Sequence, residues 1–230
     1  MSHGKGVIGY ASHYLGRYRE FDRCLAQLKY PEGSIVDPQI GTNVALHFNN
    51  MIRTMLREDY EWVWILGDDH VFNSNLLMNL LDHDVDVVIP LCMTRCYPYK
   101  TVIYQQGTIG NRHVGDDFLN GKEGLLDITN YACGNAGMLI KRHVADAIDS
   151  PWFENNIIDR EFGASDLVFS EKIKVNGFKL FIDTDSPLGH ITHMAVWPVK
   201  NDKLSYSAKV DPIHKESSDL FSRCHSEESR

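Results

Sequence analysis

The chain has 230 residues, a net charge of −8, and 43% hydrophobic against 23% charged residues, which suits one α/β domain and leaves too little for two. No apolar run is long enough to cross a bilayer, and the acidic balance excludes a broad nucleic-acid footprint, which needs a basic stripe. The amino-terminal MSHGKGVIGYASHY carries no signal-peptide hydrophobic region. The five cysteines, Cys24, Cys92, Cys96, Cys133 and Cys224, frame no zinc ribbon, so the expectation is a soluble cytoplasmic protein with reduced thiols.

Gly6 to Tyr10 reads as a first strand that ends in a polar cluster with Ser12 and His13. A helix is expected from Thr42, its N-cap. One face carries Val44, Phe48, Met51, Ile52 and Met55, and another carries Asn43, His47 and Asn50. The next run, WVWILGDDHVF at 62–72, sends five large apolar residues into a glycine, two aspartates and a histidine. An unbroken apolar run suits a strand buried on both faces of a parallel sheet. Acidic groups at its carboxyl end lie where open α/β sheets place ligands. The same aspartates could equally open a turn or cap the following helix.

A helix around Leu76 to Leu81 and a strand from Val85 to Pro90 continue in β-α-β order, which points to parallel strands and a right-handed crossover. Residues 97–130, rich in Gly, Asp, Asn and Tyr, read as an excursion with irregular or antiparallel strands. A glycine-punctuated loop, YACGNAG, then feeds a strand at Met138 to Ile140. After PWF at 151–153, a helix is expected from Asp166 to Asn176 with Gly177 closing it. Phe178, Leu180 and Ile182 alternate as a strand, followed by DTDSPLGHITH. The domain is expected to end at 198, with 199–230 a polar, partly mobile extension.

Four of these pieces together resemble a GT-A glycosyltransferase of the family 2-like kind found in bacteria and viruses. They are LGDDHVF; GNAGMLIKRHV with PWF; FGASDLVFSEKIKVNGFKLFID; and LGHITH. The resemblance spans roughly residues 6–195 and implies a single Rossmann-like domain with a mostly parallel central sheet flanked by helices. It also implies a metal-dependent transferase that uses a nucleotide-activated sugar, UDP-linked, with a virus-encoded protein as one setting. The acceptor would be a glycan, a protein or a modified nucleic-acid base.

Chemistry supports a cation here. A diphosphate leaving group is densely charged, and the chain has no GxxxxGK[ST] loop to hold it. A divalent ion can do so as a Lewis acid, and oxygen ligands with an added imidazole favour Mn²⁺ over Mg²⁺. Asp68 and His70 form Asp-x-His and would point the same way on an extended segment. The alternative is Asp69 as the acidic ligand with His70 set behind it; otherwise Asp69 lies on the cofactor side. The resemblance implies His190 as the late ligand, with His193 competing.

The resemblance further implies Asp166 as general base, although an aspartate at a helix start is also an ordinary cap. Tyr10, Ser12, His13 and Asn50 are expected on the nucleotide side, and Gly134, Asn135 and Ala136 along the donor sugar. Arg53, Arg95 or Lys100 would supply a phosphate-binding cation, and Trp152 and Trp197 a stacking surface. The chain departs from the family pattern at Gly67 and Ser165, where acidic residues are usual. Those departures keep open a non-catalytic sugar-nucleotide or glycan-binding module. A nucleotidyltransferase would need more converging carboxylates than the sequence offers.

Overall fold

The computed structural model describes residues 3–95, 99–105, 113–114, 116–158, 161–192, 195–200 and 204–209. In chain order its elements are β1 (Val7–Ser12), α1 (Arg19–Gln27), β2 (Ile35–Ile40), α2 (Val44–Arg57), β3 (Trp62–Gly67), β4 (His70–Val71), α3 (Leu76–Asp82), β5 (Val87–Cys92) and β6 (Ile103–Gln105). After a 3₁₀ turn come β7 (Leu125–Asp127), β8 (Tyr131–Cys133), β9 (Met138–Lys141), α4 (Arg142–Ala147), β10 (Asn156–Ile158) and β11 (Glu161–Gly163). The last elements are α5 (Ser165–Val175), β12 (Leu180–Ile191), β13 (Ala195–Lys200) and β14 (Leu204–Lys209).

The expected fold class is present: a central, largely parallel sheet with helices packed on it. Its heart runs β2-β1-β3-β9-β5-β12, extended by β13 and β14. Neighbouring pairs β1–β2, β1–β3 and β5–β12 are parallel, and β9 alone in that heart runs against both its neighbours. This modifies the simple β-α-β expectation. The strands β3 and β5 point the same way but do not touch, because the glycine-punctuated strand at Met138 is inserted between them.

The apolar run of β3 is explained by that position. Trp62, Val63, Trp64, Ile65 and Leu66 are all buried, with β1 on one side, β9 on the other and helices over the faces. On α2, Phe48, Met51, Ile52 and Met55 face this core, whereas Val44 is exposed. The approach is close: a Cβ on Gly9 would lie 2.5 Å from Met51 Sδ. The helix starts one residue later than expected. Asn43, not Thr42, is its N-cap, and its side chain accepts from the Leu46 amide at 3.0 Å. At the other end, Arg142 donates to the carbonyls of Met55, Leu56 and Tyr60, closing the carboxyl end of the helix.

Ordered pairing also runs past Pro198. Strand β14 pairs with β13 from Ala195–Lys209 to Lys200–Leu204, so the sheet enters what the sequence assigns to a polar extension. Residues 210–230 lie outside the described residues, as do Cys96, Cys224 and His193. Cys24, Cys92 and Cys133 are free thiols. Among the described residues, no helix is long and apolar enough to cross a membrane.

Asn49 fixes the corner that carries PWF. It is buried; its Nδ2 donates to the Ala45 and Phe153 carbonyls at 2.7 Å each, and its Oδ1 accepts from the Trp152 and Phe153 amides at 2.9 and 3.2 Å. Replacing Asn49 with Ala leaves two amides and a carbonyl of that corner without partners. Asn49→Ala is expected to cost about 2–4 kcal/mol in denaturant unfolding; a loss below about 0.5 kcal/mol would show that the corner holds itself.

Candidate functional site

A cavity of about 720 Å³ opens at the carboxyl ends of β1 and β3, within the range of ligand pockets and where ligands sit on such sheets. Its lining brings together Ser12, His13, Asp68, Asp69, His70, Arg95, Asn135, Asp166 and His190, residues drawn from every part of the sequence resemblance.

The turn after β3 sets the geometry. Asp68 still donates its amide to the Ala11 carbonyl at 3.1 Å, and its carboxylate accepts from Ser12 Oγ at 2.6 Å. His70 then begins β4, which pairs antiparallel with β12 so that His70 stands directly across from His190. Their rings meet edge to face at 5.2 Å. Asp69 lies between the two arms: its backbone carbonyl accepts from the Ile191 amide at 2.7 Å. Its Oδ2 accepts from His190 Nε2 at 3.2 Å and from Arg95 Nη1 at 2.8 Å.

Asp69, His70 and His190 therefore form a group whose donor atoms lie within 4.8 Å of one another. Its acidic member is Asp69, the alternative to Asp68 that the sequence left open. The reason is the turn: Asp68 and His70 are not on one extended strand, so two-residue alternation does not align them. Gly67 fits the same constraint, since a Cβ there would lie 2.6 Å from Asp69 Oδ1. A side chain at that position would displace the Asp69 carboxylate from where it stands.

The two histidines have opposite protonation states. Both nitrogens of His190 face acceptors: Nδ1 the Met93 carbonyl at 3.0 Å and Nε2 the Asp69 carboxylate. Burial opposes its charge, but the Asp69 bond and the Cys92 sulfur beside it raise its pKa to about 10. Burial pushes His70 down to about 4, more than the Asp69 charge restores. For Asp69, burial is outweighed by the His190 bond and by the charges of His190 and Arg95, which hold it well below the usual carboxylate range.

Part of this donor set is ready for a divalent cation. Asp69 supplies a carboxylate, and His190 is already oriented by its Nδ1 bond to a carbonyl, the usual support of a ligating imidazole; it must give up the Nε2 proton. For His70, Nδ1 accepts from the Gly67 amide at 3.1 Å, which places the hydrogen of its neutral ring on Nε2. Ligation through Nε2 requires that bond to yield.

Asp166 lies in the first turn of α5. Its Oδ2 accepts from the Asn135 amide at 2.8 Å and its Oδ1 from the Leu167 amide at 3.0 Å. Burial raises its pKa in spite of these bonds. The carboxylate is therefore shared between its own helix and the 134–136 loop. Gly134 lies beside this contact, and a Cβ there would meet Asp166 Oδ2 at an ordinary 3.5 Å.

Other expected residues stand elsewhere. Tyr10 is buried against Phe21, and its hydroxyl accepts from Arg17. Asn50 joins Gln39 and Arg53 in a chain of side-chain bonds between β2 and α2. Ala136 is buried. Trp152 is a core residue whose indole donates to the Ala145 carbonyl at 2.9 Å. Trp197 packs against Gly189, where a Cβ would lie 2.8 Å from the ring. Lys100 does not line the cavity.

The sequence reading did not assign Thr42, Asn155 or Ser165 to the site, yet all three line it. The cap shift to Asn43 is what frees Thr42. His47, assigned to a polar helix face, is buried at 6% exposure on the cavity wall, and burial lowers its pKa.

No protein-family model matches the chain, and no curated protein matches it. Among solved structures it is similar to A197 from STIV, with a TM-score of 0.56, 14% identity, and coverage of 90% of this chain and 99% of that one. The likeness is one of fold. S. aureus TarS 1-349 in complex with UDP-GlcNAc gives a TM-score of 0.46 at 13% identity, covering 79% of this chain and 56% of that one. Full TarS gives 0.46 at 11% identity, covering 90% of this chain and 37% of that one, so this chain spans about half or less of those lengths.

The raised pKa of Asp166 carries a sign. Its native carboxyl takes up a proton at higher pH than the unfolded one, so its charge costs stability above the native pKa. That cost vanishes below the unfolded pKa. Asp166→Asn is expected to raise Tm at pH 7 and to converge on the wild type near pH 3. A lower Tm at pH 7 would make Asp166 a structural cap.

Proposed function

We propose that this protein is a metal-dependent glycosyltransferase that moves a sugar from a UDP-linked donor to a hydroxyl acceptor. The observation that carries this reading is the shared cavity, onto which the Asp69–His70–His190 group and the Asp166 carboxylate both open. The fold supports it, and the site supplies the two things such a transfer needs: charge for a leaving diphosphate and a base for an incoming hydroxyl.

Asp69 and His190 would hold the cation, with His70 beside them. A bound Mn²⁺ or Mg²⁺ would supply Lewis-acid stabilisation of the negative charge that grows on the diphosphate. Ser12 fixes Asp68 at the end of β1, and with His13 and Thr42 it forms the wall offered to the nucleoside. Asn135 locks the Asp166 carboxylate toward the loop. Asp166 would take the proton of the acceptor hydroxyl as that oxygen bonds to the sugar's anomeric carbon and the bond to the diphosphate breaks. A base with a raised pKa is better matched to that transfer than an ordinary carboxylate.

Asp166→Asn is accordingly expected to lower turnover by about 10²-fold or more. Near wild-type turnover would remove Asp166 from this role. Thermal unfolding tests the site itself. UDP at about 100 times its dissociation constant stabilises by roughly 2.7 kcal/mol, a rise of about 5–10 °C for a chain of this size. The rise should need Mn²⁺ and should be lost in Asp69→Asn. A rise indifferent to Mn²⁺ and to Asp69 would overturn the reading. Metal-dependent binding with no release of free UDP from any UDP-sugar would point to a binding module.

A further inference from the structure

Two cationic groups share a single oxygen. Arg95 Nη1 and His190 Nε2 approach Asp69 Oδ2 at 2.8 and 3.2 Å, and a carboxylate oxygen has two lone pairs to offer. The two donors differ in how firmly they are placed. His190 is held from behind by the Met93 carbonyl at 3.0 Å and lies in the β12 ladder. Arg95 has a side chain 56% exposed, against 16% for Asp69. It is also the arginine or lysine that lines the cavity among the described residues.

We propose that Arg95 is a displaceable counter-ion of the cation site. In the metal-free protein it neutralises Asp69. When a divalent cation takes Oδ2, the guanidinium is released into the cavity, where its planar fork suits a diphosphate. This deepens the metal-dependent reading above and rests on it. Charge balances in this exchange: the Arg95 guanidinium and the His190 Nε2 proton, which passes to solvent, remove two positive charges from the carboxylate as the divalent cation brings two. Arg95 is thereby a positioning and specificity residue, coupling occupation of the cation site to capture of the nucleotide. By linkage, the coupling is reciprocal.

The signature is a pair of opposite signs. Removing the counter-ion removes a competitor for the metal and a ligand for the phosphates. In Arg95→Ala, Mn²⁺ titrated alone and followed by its electron paramagnetic resonance signal should bind about fivefold more tightly than in the wild type, the weight of a surface-accessible ion pair. In saturating Mn²⁺, UDP should bind about tenfold more weakly. Arg95→Lys, which keeps the charge and loses the fork, should fall between on both. Arg57→Ala, whose partner is Glu58, should change neither.

A simple phosphate contact would weaken UDP and leave Mn²⁺ unchanged, and a structural role would weaken both; either result overturns the proposal while leaving the metal reading in place. Failure of Mn²⁺ to bind the wild type, or equal binding in Asp69→Asn, would overturn the metal reading and the proposal together.

Discussion

The site depends on one largely enclosed carboxylate that must not be left alone. Asp69 carries a charge in a largely enclosed position, and an isolated buried charge costs several kcal/mol. It is satisfied by His190 from β12 and by Arg95 from the segment after β5. That requirement ties three distant parts of the chain to a single point. The two histidines differ in their surroundings: the one hydrogen-bonded to the carboxylate is held protonated, and burial holds the other neutral.

The scaffold delivers these groups through close backbone approach. Gly67 leaves room for Asp69 Oδ1, and Gly189 leaves room for Val71 and Trp197 where β4, β12 and β13 meet. A register shift between Asp183 and Pro187 divides β12 into two parts, both paired with β5. The second part continues past β5 to β4 and sets His190 opposite His70. Catalytic-type side chains thus lie on strand ends and tight turns, positions that a rigid sheet can hold to a fraction of an ångström.

Much of this was legible in the sequence because it follows from patterning. The apolar run of β3 announced a strand buried on both faces, and GNAGMLIK announced the strand that became β9. Asp166 fell at the start of a periodic segment that is helical. What could not be read was anything set by a long-range partner. The β9 strand looks the same from sequence whether it runs with or against β3. The choice between Asp68 and Asp69 depends on the turn after β3 and on which carboxylate meets His190, 121 residues away from Asp69. Trp152 reads like a sugar platform until Asn49 and Ala145 are seen to hold it in the core.

The central claim is that a divalent cation is held by Asp69 and His190 beside the Asp166 carboxylate. The most direct measurement is anomalous scattering at the manganese edge from crystals of the protein grown with Mn²⁺ and UDP. One strong peak is expected in contact with the Asp69 carboxylate and His190 Nε2, with Arg95 turned away from Asp69. A peak on Asp68 instead, or nucleotide bound in the cavity with no peak at Asp69 or His190, would contradict it.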